Sequence, residues 1–159
     1  MRINKKKFIY VISPTKIYPQ FYQDLKKILH TGKIALFQLR LKKYSFKQKL
    51  VIGKKIHQIC KKNNVKFIVN DDPLLSKKLN ADGCHLGQKD MSVKNARKII
   101  GNKIIGTTCH NSIKLAKAAI KENVSYIAFG AFFSTKTKKV KFKATTKILN
   151  KVKKIKSNF

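Results

Sequence analysis

The chain has 159 residues, 43% of them apolar, and carries 38 Lys and Arg against six Asp and Glu, a formal net charge of +32. That length and apolar content exclude a disordered polybasic tail and fit one domain that buries roughly 70% of its unfolded surface. The charge alone does not specify a nucleic-acid partner: the bases are almost all Lys, spread over nearly every segment, and Arg, which forks onto phosphates and reads bases, stands only at Arg2, Arg40 and Arg97.

Short apolar runs alternate along the chain with longer amphipathic ones. The first strand is predicted over 8–13 and the first helix over 24–30, with Phe21, Leu25, Ile28 and Leu29 on one face and Gly32 as its stop. A second strand follows at Ile34–Leu39. Ser45 with Gln48 three residues on is a capping-box pattern opening a helix that carries Leu50, Gly53, Ile56 and Cys60 at helical spacing. A third strand is read at 67–70, after which Asp72 caps a helix with Pro73 at its first position. The turn at Asn80, Ala81, Asp82 and Gly83 leads into a fourth strand at 84–86. Ser92 caps the next helix, which stops near Gly101. A fifth strand at 104–108, a helix capped by Asn111 or Ser112, a sixth strand at 126–132 and a final amphipathic helix at 146–156 complete the pattern.

Six βα units in succession, with near-continuously apolar strands, predict a parallel sheet buried on both faces, either an open doubly wound sheet or a (β/α) barrel. Polar residues follow the strands one after another: Gln38 and Arg40, Asn70 and Asp71, His85, Gln88 and Asp90, Thr107, Thr108 and His110, and Thr135, Thr137 and Lys138. In both architectures ligands bind at those C-terminal strand ends.

The window from Val69 to Asp90 holds four of the six acidic residues, Asp71, Asp72, Asp82 and Asp90. Carboxylates kept together in an acid-poor chain suit magnesium, which usually arrives with substrate phosphates. Asp72 and Asp82 read more economically as a helix cap and a turn residue, which leaves Asp71 and Asp90 as the metal candidates. With Lys and Arg opposite, the pair describes a magnesium–diphosphate site. His85 reads as a buried strand histidine. Cys60, Cys84 and Cys109 have no CxxC spacing and suggest reduced thiols in a cytoplasmic protein. The apolar run at 8–12 is too short for a signal segment, and no run approaches a membrane span.

These motifs resemble a known family. Gln38-Leu39-Arg40, Asn70-Asp71-Asp72, the run from Ala81 to Asp90 (ADGCHLGQKD), the run from Gly106 to His110 (GTTCH) and the run from Gly130 to Lys138 (GAFFSTKTK) are similar to thiamine-phosphate synthases and the related thiazole tautomerases. The resemblance implies a TIM-type (β/α)₈ barrel and an enzyme that joins hydroxymethylpyrimidine diphosphate to a thiazole phosphate, giving thiamine monophosphate and diphosphate. It implies that Gln38, Arg40, Lys42 and Asn70 hold the pyrimidine diphosphate and that Asp71 and Asp90 ligate Mg²⁺. It further implies that Thr108 and Lys138 contact the diphosphate and act in catalysis, and that Thr135 and Thr137 hold the thiazole phosphate. Leu41 stands where the family has an acidic residue, which bears on one polar contact to the pyrimidine.

Eight units at about 30 residues each against six in this chain lead to the expectation of a single domain over 1–159 that is C-terminally incomplete, self-associates through open barrel edges and turns over negligibly alone. The alternatives are a tautomerase using His110, which the two aspartates disfavour, an inactive remnant, and a basic nucleic-acid-binding module. No specific nucleic acid and no membrane are expected as partners.

Overall fold

In the computed structural model, which describes residues 8–133 and 142–155, the alternating pattern becomes six βα units. The elements run β1 (Ile9–Ile12), α1 (Pro19–His30), β2 (Ile34–Leu39), α2 (Phe46–Lys62), β3 (Lys66–Asn70), α3 (Pro73–Lys78), β4 (Gly83–Leu86), α4 (Val93–Ile100), β5 (Ile104–His110), α5 (Ile113–Lys121), β6 (Tyr126–Phe129) and α6 (Thr146–Ile155). The strands form one sheet in the order β1-β2-β3-β4-β5-β6, and every neighbouring pair is parallel. A helical crossover between each pair of adjacent parallel strands curls such a sheet around its inner face. The curl shows in the contact between its two end strands. The Tyr10 hydroxyl on β1 lies 2.7 Å from that of Tyr126 on β6, and the rings meet edge to face at 5.6 Å. A sheet whose end strands touch through inward side chains is an arc of a TIM-type barrel, as the sequence leads one to expect.

Strand alternation divides the side chains into two sets. Phe37 and Leu39 of β2 pack with Leu25, Ile56 and Phe67 in one helix-side cluster, and Cys84, Leu86, Ile105 and Ala116 form a second. The other set faces inward. Gln38 pairs in register with Ile68, Asn70 with His85, His85 with Gly106, and Gly106 with Tyr126. Gly106 is required by packing: a Cβ there would run into the Tyr126 ring.

The capping residues act as their chemistry dictates. Ser45 accepts from the Gln48 N–H while Gln48 Oε1 accepts from the Ser45 N–H, and Asp72, Ser92 and Ser112 cap α3, α4 and α5. Three boundaries differ from expectation by more than one residue. Helix α1 begins at Pro19, five residues before 24, because Pro fills the first position and Tyr18 supplies no side-chain cap that the sequence would advertise. Strand β5 continues to His110 through a bulge after Thr108, with His110 at φ 51°. Strand β6 stops at Phe129, short of 132, because the backbone beyond it pairs elsewhere: the Ala131 N–H donates to Phe142 O and the Ala144 N–H to Ala131 O.

Candidate active site

The acidic window separates into two ends of the barrel. At the N-terminal ends of the strands, Asp82 accepts the Phe67 N–H at 2.9 Å and the Lys66 ammonium at 2.9 Å. Burial works to raise its carboxyl, but these two partners outweigh it and hold the group below the usual carboxylate range. Asp72 accepts the Leu75 N–H at 2.9 Å and starts α3. Both are structural, as their sequence contexts indicate.

Asp71 and Asp90 stand at the opposite rim. Asp71 follows β3 in the left-handed region at φ 64°, and its N–H donates to His85 O at 2.8 Å. A left-handed non-glycine residue is strained, and such strain concentrates at functional sites. Asp90 Oδ2 accepts the Gly87 N–H at 2.6 Å, which closes the turn after β4. The two carboxyls are close enough to act on each other. Burial raises Asp90, the Asp71 carboxyl and its charge raise it further, and the Gly87 N–H and Lys42 offset only part of this. The Lys42 ammonium lies 3.3 Å from Asp71 Oδ2, with its side chain 57% exposed. Two carboxylates that close need a proton or a cation between them, and a divalent ion answers that need where one solvated lysine does not. Among the described residues no group of three or more His, Cys, Asp or Glu is assembled for a metal, so an ion here would complete its shell from water and substrate oxygens.

The other expected contacts distribute as follows. Asn70 ends β3, half-buried beside Asp71. The Arg40 N–H donates to Ser13 Oγ at 2.8 Å, which ties the start of the β2 loop to the end of β1. Gln38 is 3% exposed and donates from Nε2 to the Tyr10 hydroxyl at 2.8 Å. Thr108 lies on β5 with its Oγ1 2.8 Å from His85 Nε2, and its carbonyl accepts from Gln88 at 2.6 Å. Thr135, Thr137 and Lys138 lie outside the described residues. Leu41 is 4% exposed and packed in the helix-side cluster. Its apolar identity therefore satisfies a buried position, and it contributes to a cleft of about 460 Å³ lined also by Lys42, Asn70, Asp71 and Met91.

Three residues take on a part that the sequence did not indicate. His85 is buried as expected, but both ring nitrogens are engaged: Nδ1 lies 2.9 Å from the Tyr126 hydroxyl and Nε2 bonds Thr108. Burial lowers its pKa to about 4, against a weaker raising effect of the Asp71 charge, so the ring is neutral at pH 7. Tyr126 stacks on His85 with ring centres 5.6 Å apart, and Tyr10 bonds Tyr126 across the arc. Burial raises both phenols. The one available signal was Tyr126 in a strand beside a glycine-containing strand. Nothing in the sequence tied it to Tyr10, 116 positions away. His110, the residue of the tautomerase alternative, stacks on Phe142 with centres 4.4 Å apart.

The chain is similar to known proteins. Residues 9–158 match the family model described as thiamine monophosphate synthase. A thiamine-phosphate synthase of Pelagibacter ubique is 61% identical over 99% of this chain, which spans 77% of that relative. One of Erythrobacter litoralis is 41% identical over 82% of the chain, which spans 62% of it, just under two thirds. The solved structure of a thiamine phosphate pyrophosphorylase from Pyrococcus furiosus superposes with a TM-score of 0.78 at 26% identity, covering 92% of this chain and 69% of that one.

Proposed function

The chain belongs to the thiamine monophosphate synthase family, and from that premise we propose that its rim binds a pyrimidine diphosphate with magnesium and transfers the pyrimidine to a thiazole phosphate. The products are thiamine monophosphate and diphosphate, so the protein acts as a transferase of thiamine biosynthesis. The observation that carries this reading is the closeness of the Asp71 and Asp90 carboxyls beside Lys42.

In this reading Asp71 and Asp90 hold Mg²⁺, and the bound ion supplies neutralisation of the charge that gathers on the departing diphosphate. Lys42 and Arg40 provide cations from the β2 loop, and Asn70 and Gln38 orient the pyrimidine. Thr108 and Lys138 meet the diphosphate, while Thr135 and Thr137 hold the phosphate of the thiazole. The pyrimidine methylene–oxygen bond breaks with its electron pair going to the diphosphate, and the thiazole nitrogen donates the pair that forms the new carbon–nitrogen bond. No proton need move at the reacting carbon, which fits a rim furnished with cations and donors rather than a general base.

The three cysteines are free and buried, which supports a reducing, cytoplasmic setting. Among the described residues no helix is long and apolar enough to cross a membrane. Strands β1 and β6 end the sheet, and Ile9 and Ile12 of β1 are 50% and 54% exposed, which supports self-association through these edges.

Phosphorus NMR of the pyrimidine diphosphate tests the proposal. Added protein is expected to shift and broaden its diphosphate resonances with Mg²⁺ present and to leave them sharp after chelation. Added thiazole phosphate tests transfer by the appearance of a thiamine monophosphate resonance. Equal binding with and without the metal would remove Asp71 and Asp90 from the role of magnesium ligands.

A further inference from the structure

The inward face of the arc carries a chain of four hydrogen bonds linking five strands. Gln38 of β2 meets Tyr10 of β1 at 2.8 Å, Tyr10 meets Tyr126 of β6 at 2.7 Å, Tyr126 meets His85 Nδ1 of β4 at 2.9 Å, and His85 Nε2 meets Thr108 of β5 at 2.8 Å. Each link has a direction, and the directions are not independent. An amide nitrogen only donates, so the Tyr10 oxygen accepts from Gln38. The Tyr10 phenol has one proton, and among the described residues Tyr126 is the acceptor within its reach, so Tyr10 gives the proton there. Tyr126 in turn gives its proton to His85 Nδ1. A neutral imidazole that accepts at Nδ1 carries its hydrogen on Nε2 and donates there. Thr108 Oγ1 therefore accepts from His85, and its own proton is left for a partner outside the chain.

We propose that Gln38, Tyr10, Tyr126 and His85 form a one-way hydrogen-bond chain that fixes the Thr108 hydroxyl as a donor to an anion at the rim. His85 and Tyr126 are thereby positioning residues that act through Thr108. The proposal rests on the reading of the rim as a diphosphate site. It gives Gln38 a part separate from any contact with the pyrimidine, because its amide sets the sense of every later link. It also explains the choice of residues. Tyr126 needs the bare Gly106 beneath its ring to reach His85, and a threonine locked as donor favours phosphate oxygens over a carbonyl-seeking or cationic ligand. Had the chain run the other way, Thr108 would present lone pairs to a phosphate and repel it.

The test reads the histidine tautomer and the affinity separately. In protein labelled with nitrogen-15 in histidine, long-range proton–nitrogen correlation at pH 7 is expected to show His85 protonated at Nε2 and bare at Nδ1. Gln38→Met, which keeps the length of the side chain and removes its donor, is expected to let the Nδ1-protonated form appear. Inorganic pyrophosphate with Mg²⁺ serves as the ligand. Tyr126→Phe keeps the ring over Gly106, and Thr108→Val keeps the shape of Thr108. Each is expected to weaken pyrophosphate binding about tenfold, with the double variant no weaker than Thr108→Val alone. His85 protonated at Nδ1 in the native protein would overturn the direction of the chain, and additive losses in the double variant would overturn action through Thr108. Failure of the native protein to bind pyrophosphate would count against the rim reading instead, and the tautomer, which needs no ligand, would still decide the chain.

Discussion

Asp82 and Asp90 lie eight positions apart on either side of β4, and the protein treats them in opposite ways. Asp82 has a backbone donor and an ammonium, and its carboxyl is held low. Asp90 has one backbone donor and a second carboxyl, and it is held high. The N-terminal end of the barrel satisfies its charges internally. There Arg97 donates to the Gly101, Lys103 and Asn123 carbonyls, and the Lys103 ammonium donates to Asn80 and Ala81. The C-terminal rim leaves the like charges of Asp71 and Asp90 beside each other, an arrangement that costs stability and is relieved by a cation. In the proposed reading one end supplies stability, and the other gives up part of it for the ligand.

The comparison breaks most sharply on ligand affinity. Asp71→Ala or Asp90→Ala is expected to weaken Mg²⁺-dependent pyrophosphate binding at least about a thousandfold, ~4 kcal/mol, while the melting temperature of Asp90→Asn stays at or above that of the native protein. Calorimetric titration checks the first, and thermal denaturation the second. A lowered melting point in Asp90→Asn would make Asp90 structural.

Next in size is the response to acid. His85 has a folded-state pKa of about 4, below its ordinary value of 6.5. The unfolded chain therefore binds a proton before the folded one does, and stability falls as pH drops from about 6.5 to 4, by about 3 kcal/mol in all. Urea unfolding across that range should show the slope in the native protein and lose it in His85→Gln. The aspartates add opposite signs. Asp82, held low, contributes stability above the usual carboxylate range that is lost as pH falls. Asp90, held high, makes the metal-free protein less stable as pH rises through its ionisation, and Mg²⁺ should reverse that loss.

Smaller effects separate the two partners of Asp82. Asp82→Ala leaves the buried Phe67 N–H without its acceptor and is expected to cost about 1–3 kcal/mol in urea unfolding with pyrophosphate binding unchanged. Lys66→Met removes only an ammonium on a side chain that is 61% exposed, and about 0.5 kcal/mol is the expected change.

What the sequence disclosed follows from the range over which each signal acts. Ser45, Asp72, Ser92 and Ser112 announce helix starts because capping is local, within three residues. The separation of Asp82 from Asp90 was legible because one precedes and the other follows a short apolar run, and a parallel strand turns that order into opposite ends of the barrel. The start of α1 was not legible, since Tyr18-Pro19 offers no capping oxygen. The end of β6 was hidden because Ala131 and Phe132 are as apolar as a strand, while the Ala131 backbone pairs with the segment around Phe142. The chain from Gln38 to Thr108 was invisible because curl brings together side chains from five strands, and no periodicity encodes a contact between Tyr10 and Tyr126. The roles expected of Thr135, Thr137 and Lys138 remain proposals carried by their motif.

The claim that the two ends of β4 divide stability from function is tested most directly by one paired titration. Pyrophosphate is titrated into Asp90→Ala and Asp82→Ala with Mg²⁺ present, under conditions where both variants are folded. The account predicts that Asp82→Ala binds as the native protein does and that Asp90→Ala shows no measurable heat. Comparable affinities in the two variants would contradict it.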